Sequence, residues 1–515
     1  MSPPGRSKGE LQGAQHEASP RNTAAAARRL WRLLRWPLLA LIGAWLFLAL
    51  GFTLFAVGVL PPLQPWHTVQ LRDEFSAYRH RGLDFAGYLQ REQLLFEEMH
   101  RTIAGWDHTG EAYQHSRFNP AAPLNRLASE ASHNRSFRLT PAAPVGQALL
   151  LHGLTDSPHS MRAMAESLHG RGFEVTVLRL PGHGTLPSML VSVTTADWVA
   201  AVDIAARDVA SRLKPGQPYY IGGYSTGGTL ALLHTLKTLE DPALTRPSRV
   251  LLVSPAIAVS SAAVLAEVID FFAVLPIPVL DKVRWQAVEP EFDPVKYNSF
   301  PVNGSRQVKR ATRALRAALQ SAEDAGRLAA LPPVVTWQSV VDSTVGSTAT
   351  VDTLYARLPS PKHLLVMFDV NRQAGFSSVQ RPAARDLIGR LQQGPRGYTL
   401  DLVANRDSSS RVSVQRLAPD GSTQTLDTPL DWPAGVVSLG HVAMPFPPDD
   451  AVYGLLPGSG REGVPSIGSL LLRGEGGALT LSLGSLTRLR SNPFWPLVDA
   501  EVGNIVTGDL AGGTR

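Results

Sequence analysis

The chain of 515 residues, 44% hydrophobic and 18% charged, can bury a sizeable core and make one large domain or two to three ordinary ones, which excludes a disordered or low-complexity protein. It contains no cysteine, so disulfides, thiol catalysis, cysteine acylation and cysteine-held metals are excluded. The net charge of +6 is local: Arg6, Lys8, Arg21, Arg28, Arg29, Arg32 and Arg35 stand against only Glu10 and Glu17 in residues 1–35, and the near-neutral remainder has no general nucleic-acid footprint.

In chain order, residues 1–35 form a basic tail and residues 36–60, "WPLLALIGAWLFLALGFTLFAVGVL", carry no charge. A helix of that length spans a hydrocarbon core of about 30 Å, so one transmembrane helix is expected. Arginines precede it and Arg72, Asp73 and Glu74 follow, which puts the tail in the cytoplasm and the rest of the chain outside, periplasmic or extracellular. A cleavable signal peptide is the rival reading, but the run is long and "VGVLPP" lacks an A-x-A-like site. Residues 61–140 read as a juxtamembrane connector, with helical spacing in "FAGYLQREQLLFEEMHRTIAGW" and turn signals in the Pro- and Ala-rich stretch beyond.

From residue 141 apolar runs alternate with amphipathic ones, as a mostly parallel, doubly wound α/β sheet requires. "QALLLHG" and "FEVTVLRL" read as strands, with a helix through "SPHSMRAMAESLHGRG" between them. "TTADWVAAVDIAARDVASRL" reads as a helix, with Thr194 and Asp197 at capping-box spacing and Trp198, Val202, Val209 and Leu213 along one face. "PYYIGG" is the next strand and "TGGTLALLHTLKTLE" the next helix, so Ser225 falls on the turn between them. A serine on such a tight turn is held in a strained conformation that exposes its hydroxyl at the sheet's carboxyl edge, and only tiny residues fit two positions before and after it. Gly223 and Gly227 are those residues.

"LLLHGLTDSPHSMRAMAESLHGRGFEVTVLRLPGHGT" and "GGYSTGG" resemble the oxyanion segment and nucleophile elbow of the α/β-hydrolase superfamily, in particular its branch of monoacylglycerol lipases and bacterial carboxylesterases, often labelled serine aminopeptidase-type. The chain is also similar to membrane-anchored bacterial members of that superfamily. The resemblance implies Ser225 as nucleophile and the backbone amides of Leu154 and Thr226 as oxyanion hole, with His152 and His183 bracing loops. It also implies the triad order Ser, acid, His. Asp342 ends the strand of "LPPVVTWQSVVDST" and is expected to be the acid, with Asp352 and Asp369 as rivals.

"KHLLVMFD" reads as the last sheet strand, and no histidine follows it closely. A β-rich insertion over 370–434 intervenes, its strands alternating like antiparallel ones, before "GVVSLGHVAMPFPPDD" supplies His441 as the expected base. His363 opens its strand and belongs at the opposite edge of a parallel sheet; His234 lies on the helix after the elbow. Residues 256–331 exceed what the sheet needs and read as a cap or lid. The expected activity is ester hydrolysis through an acyl-enzyme on a small-molecule or lipid ester, with no cofactor, metal or nucleic acid involved. Amidase, aminopeptidase and acyltransferase activities share that intermediate, and a catalytically inactive lipid-binding scaffold is the alternative from another class.

Overall fold

The computed structural model describes residues 20–59, 61–128, 134–258, 281–282, 284–358, 360–373, 382–393, 396–407, 409–455, 460–461, 464–465 and 488–512. Two units separate along the chain, Met1–Val59 and Leu60–Arg515. The first is a continuous helix, α1 (Pro20–Val59), on which Trp31, Leu34, Trp36, Leu41 and Phe47 are exposed. Side chains of residues 52–57 lie outside the described residues, and among those described no helix is long and apolar enough to cross a membrane.

The second unit begins with Leu60, and Phe75, Phe85 and Tyr88 of the expected connector 61–140 are part of the main core. The expected helix is present as α2 (Phe85–Ala104), N-capped by Asp84 Oδ1, which accepts from the Gly87 amide at 2.8 Å. Phe85 and Tyr88 enter the main core, and the Tyr88 hydroxyl donates to the Arg179 carbonyl at 2.6 Å. Arg179 is itself buried between Glu74 and Glu92, each 3.0 Å away. A desolvated guanidinium needs both carboxylates, and both come from this early segment.

The strands are β1 (Phe137–Leu139), β2 (Gly146–Leu151), β3 (Phe173–Leu178), β4 (Tyr219–Tyr224), β5 (Arg249–Val253), the two-stranded ribbon β6 (Trp285–Ala287) and β7 (Phe300–Pro301), β8 (Val334–Ser339), β9 (Leu364–Phe368), β10 (Thr399–Asn405), β11 (Arg411–Leu417) and β12 (Thr423–Asp431). The main sheet runs β1-β3-β2-β4-β5-β8-β9-β10-β11-β12. From β3 through β10 neighbours are parallel, with β1, β11 and β12 antiparallel at the two margins. The central strands β2, β3, β4 and β8 are buried along their whole length, as strands covered by helices on both faces must be.

One face is covered by α4 (Thr195–Ser211) and α5 (Thr226–Thr238), introduced after the shorter α3 (Arg162–His169). Thr194 and Asp197 form the expected capping box, and Trp198, Val202 and Val209 are buried in the main core. The opposite face holds α3 and the last described helix, Trp495–Gly512, which contributes Val498, Val502, Ile505 and Val506 to the second core cluster.

Two expectations change here. β9 is not the last sheet strand, because the helix Pro382–Gln393 carries the chain to β10, which pairs parallel to β9; only β11 and β12 turn back antiparallel. The segment 370–434 therefore widens the sheet, since the exposed backbone edge of β9 is satisfied by another strand. The "AAVLAEVIDFFAVLPIPVL" part of the expected cap lies outside the described residues. Of the remainder, the helix Val302–Asp324 sends Leu315, Leu319 and Ala322 into the main core, so this part of 256–331 is as much core as cover.

Candidate active site

Ser225 stands between β4 and α5 with φ 53° and ψ −118°, a backbone conformation that side chains rarely adopt. Close approach fixes the glycines around it. A Cβ on Gly223 would sit 2.3 Å from the Gly227 carbonyl carbon, and one on Gly227 would sit 2.1 Å from the Leu151 carbonyl oxygen. The turn is tied down by the Ser225 amide, which donates to the Val253 carbonyl at 3.0 Å, and by the Ala256 amide, which donates to the Ser225 carbonyl at 3.0 Å. The local strain is thus overdetermined by two neighbouring strands.

Asp342 follows β8 and is buried. Its Oδ1 accepts from the amides of Thr344 at 2.9 Å and Val345 at 3.0 Å, leaving Oδ2 for His441 Nδ1 at 2.9 Å. Burial by itself would raise this carboxyl, but the adjacent His441 charge, the hydrogen bond to it and the two amides outweigh burial and hold it below the ordinary carboxylate value. An imidazole bonded this way keeps one tautomer and one orientation, with Nε2 left for the hydroxyl side.

His441 arrives across the long excursion because the returning chain is pinned beside the end of β9. The Asn371 amide donates to the Val437 carbonyl at 2.7 Å, its side chain donates to the Val436 carbonyl at 3.1 Å, and Val370 bridges Ser438. Tyr224, immediately before Ser225, adds a contact that sequence reasoning missed: its buried hydroxyl donates to the His441 carbonyl at 3.2 Å, with the two rings 5.0 Å apart. A tyrosine inside an apolar strand gives no sign of such a partner until the fold brings residue 441 to it.

Ser225, His441, Leu154 and Thr226 line one cavity of about 210 Å³, with Phe300 and Val308 also in its wall. Among the described contacts the Leu154 and Thr226 amides have no acceptor. The expected hydrogen bond between Ser225 and His441 is not formed among the described residues; the His441 ring is bonded there to Asp342 alone. Such bonds are often long without substrate and tighten when it binds.

The rival residues are placed elsewhere. Asp369 pairs with Arg372 and accepts from the Val370 amide at 2.7 Å, while Asp352 faces Arg390 at 3.5 Å on the surface. His363 is buried at the opposite end of its strand, where its Nδ1 accepts from the Val334 amide at 3.1 Å; burial and the Lys362 charge lower its pKa to about 4. His234 pairs with Asp203 at 2.9 Å. His152 braces loops, donating from Nδ1 to the Gly153 carbonyl at 2.8 Å and accepting the Leu180 amide at Nε2 at 2.9 Å. His183 donates from Nδ1 to the Pro181 carbonyl at 3.0 Å.

Residues 142–369 match the family described as Serine aminopeptidase, S33. A thermostable monoacylglycerol lipase of Bacillus sp. (strain H-257) is 43% identical over 89 residues, 17% of this chain and 34% of that enzyme, so the chain spans about a third of the length of this curated relative. Among solved structures, one from the metagenome-derived lipolytic enzymes LipS and LipT is 19% identical, with a TM-score of 0.36, covering 51% of this chain and 98% of its own. The monoacylglycerol lipase of Paleococcus ferrophilus is 18% identical, with a TM-score of 0.34, over 50% and 97%. The parallel sheet, with a strained serine at its central strand-to-helix turn inside the matched segment 142–369, has the α/β-hydrolase fold.

Proposed function

We propose that the chain is a membrane-anchored serine hydrolase that cleaves carboxylic esters, with Ser225 as nucleophile, His441 as general base and Asp342 as the group orienting it. The observation that carries this reading is the strained Ser225 sharing a cavity with His441, whose other ring nitrogen is held by Asp342. In this mechanism His441 takes the Ser225 proton as the hydroxyl oxygen bonds to the ester carbonyl carbon, and the Leu154 and Thr226 amides hold the oxyanion. Collapse of the tetrahedral adduct breaks the bond to the alcohol, which leaves with the proton from His441. Water, deprotonated by His441, then releases the acid and regenerates Ser225. The local identity to a monoacylglycerol lipase supports a lipid or glycerol ester as substrate. The uncharged run from Trp36 to Leu60, which up to Val59 lies on a continuous helix, after a basic tail, supports an anchor with the catalytic unit outside the cytoplasm.

A fluorophosphonate probe tests the chemistry: it is expected to label Ser225, and Ser225→Ala and His441→Ala are each expected to lose on the order of 10⁶ in turnover because triad members act as a unit. A folded protein that stays unlabelled would favour the scaffold reading. Esters assayed beside aminoacyl amides separate esterase from aminopeptidase. Compartment reporters fused after residue 70 are expected to report the outer face, and a cytoplasmic signal would reverse the topology.

A further inference from the structure

The cavity that holds Ser225 and His441 is also lined by two cations, Lys296 and Arg488. Among its described lining residues Asp156 is the one carboxylate, and it is already committed: it is buried, with Oδ1 3.2 Å from Lys296 Nζ. Arg488 is exposed and donates from Nη2 to Thr344 Oγ1 at 3.2 Å, with no carboxylate in ion-pair reach among the described residues. Among the described residues the wall therefore carries a net positive charge.

Its position within the site gives that charge a direction. Thr344 belongs to the turn whose amides hold Asp342, and Asp342 holds His441. Arg488 is thus fastened on the histidine side of the cavity. The histidine delivers a proton to the departing alcohol, so the alcohol portion of an ester lies on that side. Phe300 and Val308, from the ribbon strand β7 and the helix Val302–Asp324, add apolar wall that suits an acyl chain. A guanidinium offers a rigid fork of donors that matches carboxylate or phosphate oxygens two at a time, and one carboxylate-free arginine beside a small cavity has donors to spare for them.

We propose that the site selects esters whose alcohol portion carries an oxyacid anion, a phosphate or a carboxylate, with Arg488 as the specificity-determining residue. This inference rests on the ester-hydrolase reading above. It predicts that a charged alcohol is recognised mainly through KM, and that the preference weakens in salt because Arg488 is exposed.

The test compares three soluble esters of one short acyl chain in the full-length protein: a neutral glycerol ester, a glycerol phosphate ester and a glycerate ester. The wild type is expected to show kcat/KM about tenfold higher on at least one anionic ester than on the neutral one, the gain of one charge-assisted hydrogen bond. The phosphate and glycerate arms tell which oxyacid is read. Arg488→Glu is expected to reverse the ratio, Arg488→Gln to bring it near one and Arg488→Lys to keep part of it; because ratios are compared, a loss of folded protein cancels. A wild-type ratio near one, or a preference that survives Arg488→Glu, would overturn the inference while leaving ester hydrolysis intact. Failure on all three esters together with absent fluorophosphonate labelling would instead overturn the ester-hydrolase reading, and this inference with it.

Discussion

Tyr224 shows how much a single side chain carries at this site. It precedes Ser225, shares with Asp156 the space left by the missing side chain of Gly153, and its hydroxyl reaches the backbone of His441. A Cβ on Gly153 would lie 3.0 Å from the Tyr224 ring, so the loop after β2 and the tyrosine are mutually fitted. His441, the proposed base, lies on a loop far along the chain, and this bond ties that loop to the residue before Ser225. Tyr224→Phe keeps the ring and deletes the bond, worth about 0.5–1.5 kcal/mol. Turnover is expected to fall roughly three- to tenfold with KM little changed and the melting temperature nearly so, measured by steady-state kinetics and calorimetry. Wild-type kcat in this variant would show that the His441 loop holds itself. His363, by contrast, sits at the wrong end of its strand, and its removal is a matter of stability.

At the scale of elements, two segments that read as additions are structural. Residues 61–140 supply both carboxylates around Arg179, and the described body has no other acid in ion-pair contact with that guanidinium. Arg179→Met leaves Glu74 and Glu92 buried without their cation, and the expected cost is about 3–5 kcal/mol, read as a shift in the denaturant midpoint. Asp352→Asn, which breaks a surface pair with Arg390, serves as the contrast and is expected to change stability by less than about 1 kcal/mol. Equal small effects would mean that the early segment is dispensable to the fold. The second segment, β10 to β12, widens the sheet, and the chain leaving β12 then returns along the end of β9 to deliver His441.

For the whole molecule the buried histidines set the acid limit. Burial lowers His67, His183 and His363 to about 4. His67 accepts the Gln64 amide at Nδ1, and His363 accepts the Val334 amide, so protonation removes an acceptor as well as burying a charge. An unfolded histidine binds its proton near pH 6.5, so between 6.5 and about 4 the unfolded chain holds more protons and stability falls as pH falls. Each imidazole contributes a slope of up to about 1.4 kcal/mol per pH unit in that window. Glu291, pushed up to about 7 by burial, acts oppositely from pH 7 toward 4.5, as do Asp156, Glu289, Asp369 and Glu501, which burial also raises, while burial lowers His80, His100 and His152 as well and adds them to the imidazole side. Thermal melts from pH 7 to 4.5 are expected to show a steady loss of melting temperature. A flat profile would mean that these histidines are not held neutral.

Much of this was legible in the residues alone, because it depends on local rules. The alternation of apolar strands with amphipathic helices, the capping box at Thr194 and the glycine spacing around Ser225 are each decided within a few residues by backbone geometry. Chain order and strand polarity likewise separated His441 from His363. What lay beyond the sequence depended on partners distant along the chain: the parallel pairing of β10 with β9, the burial of Arg179 between Glu74 and Glu92, and the reach of Tyr224 and Arg488 into the same site. A hydrogen bond or an ion pair across a hundred residues leaves no local pattern, and only the packing of the sheet and its helices chooses which groups must satisfy one another.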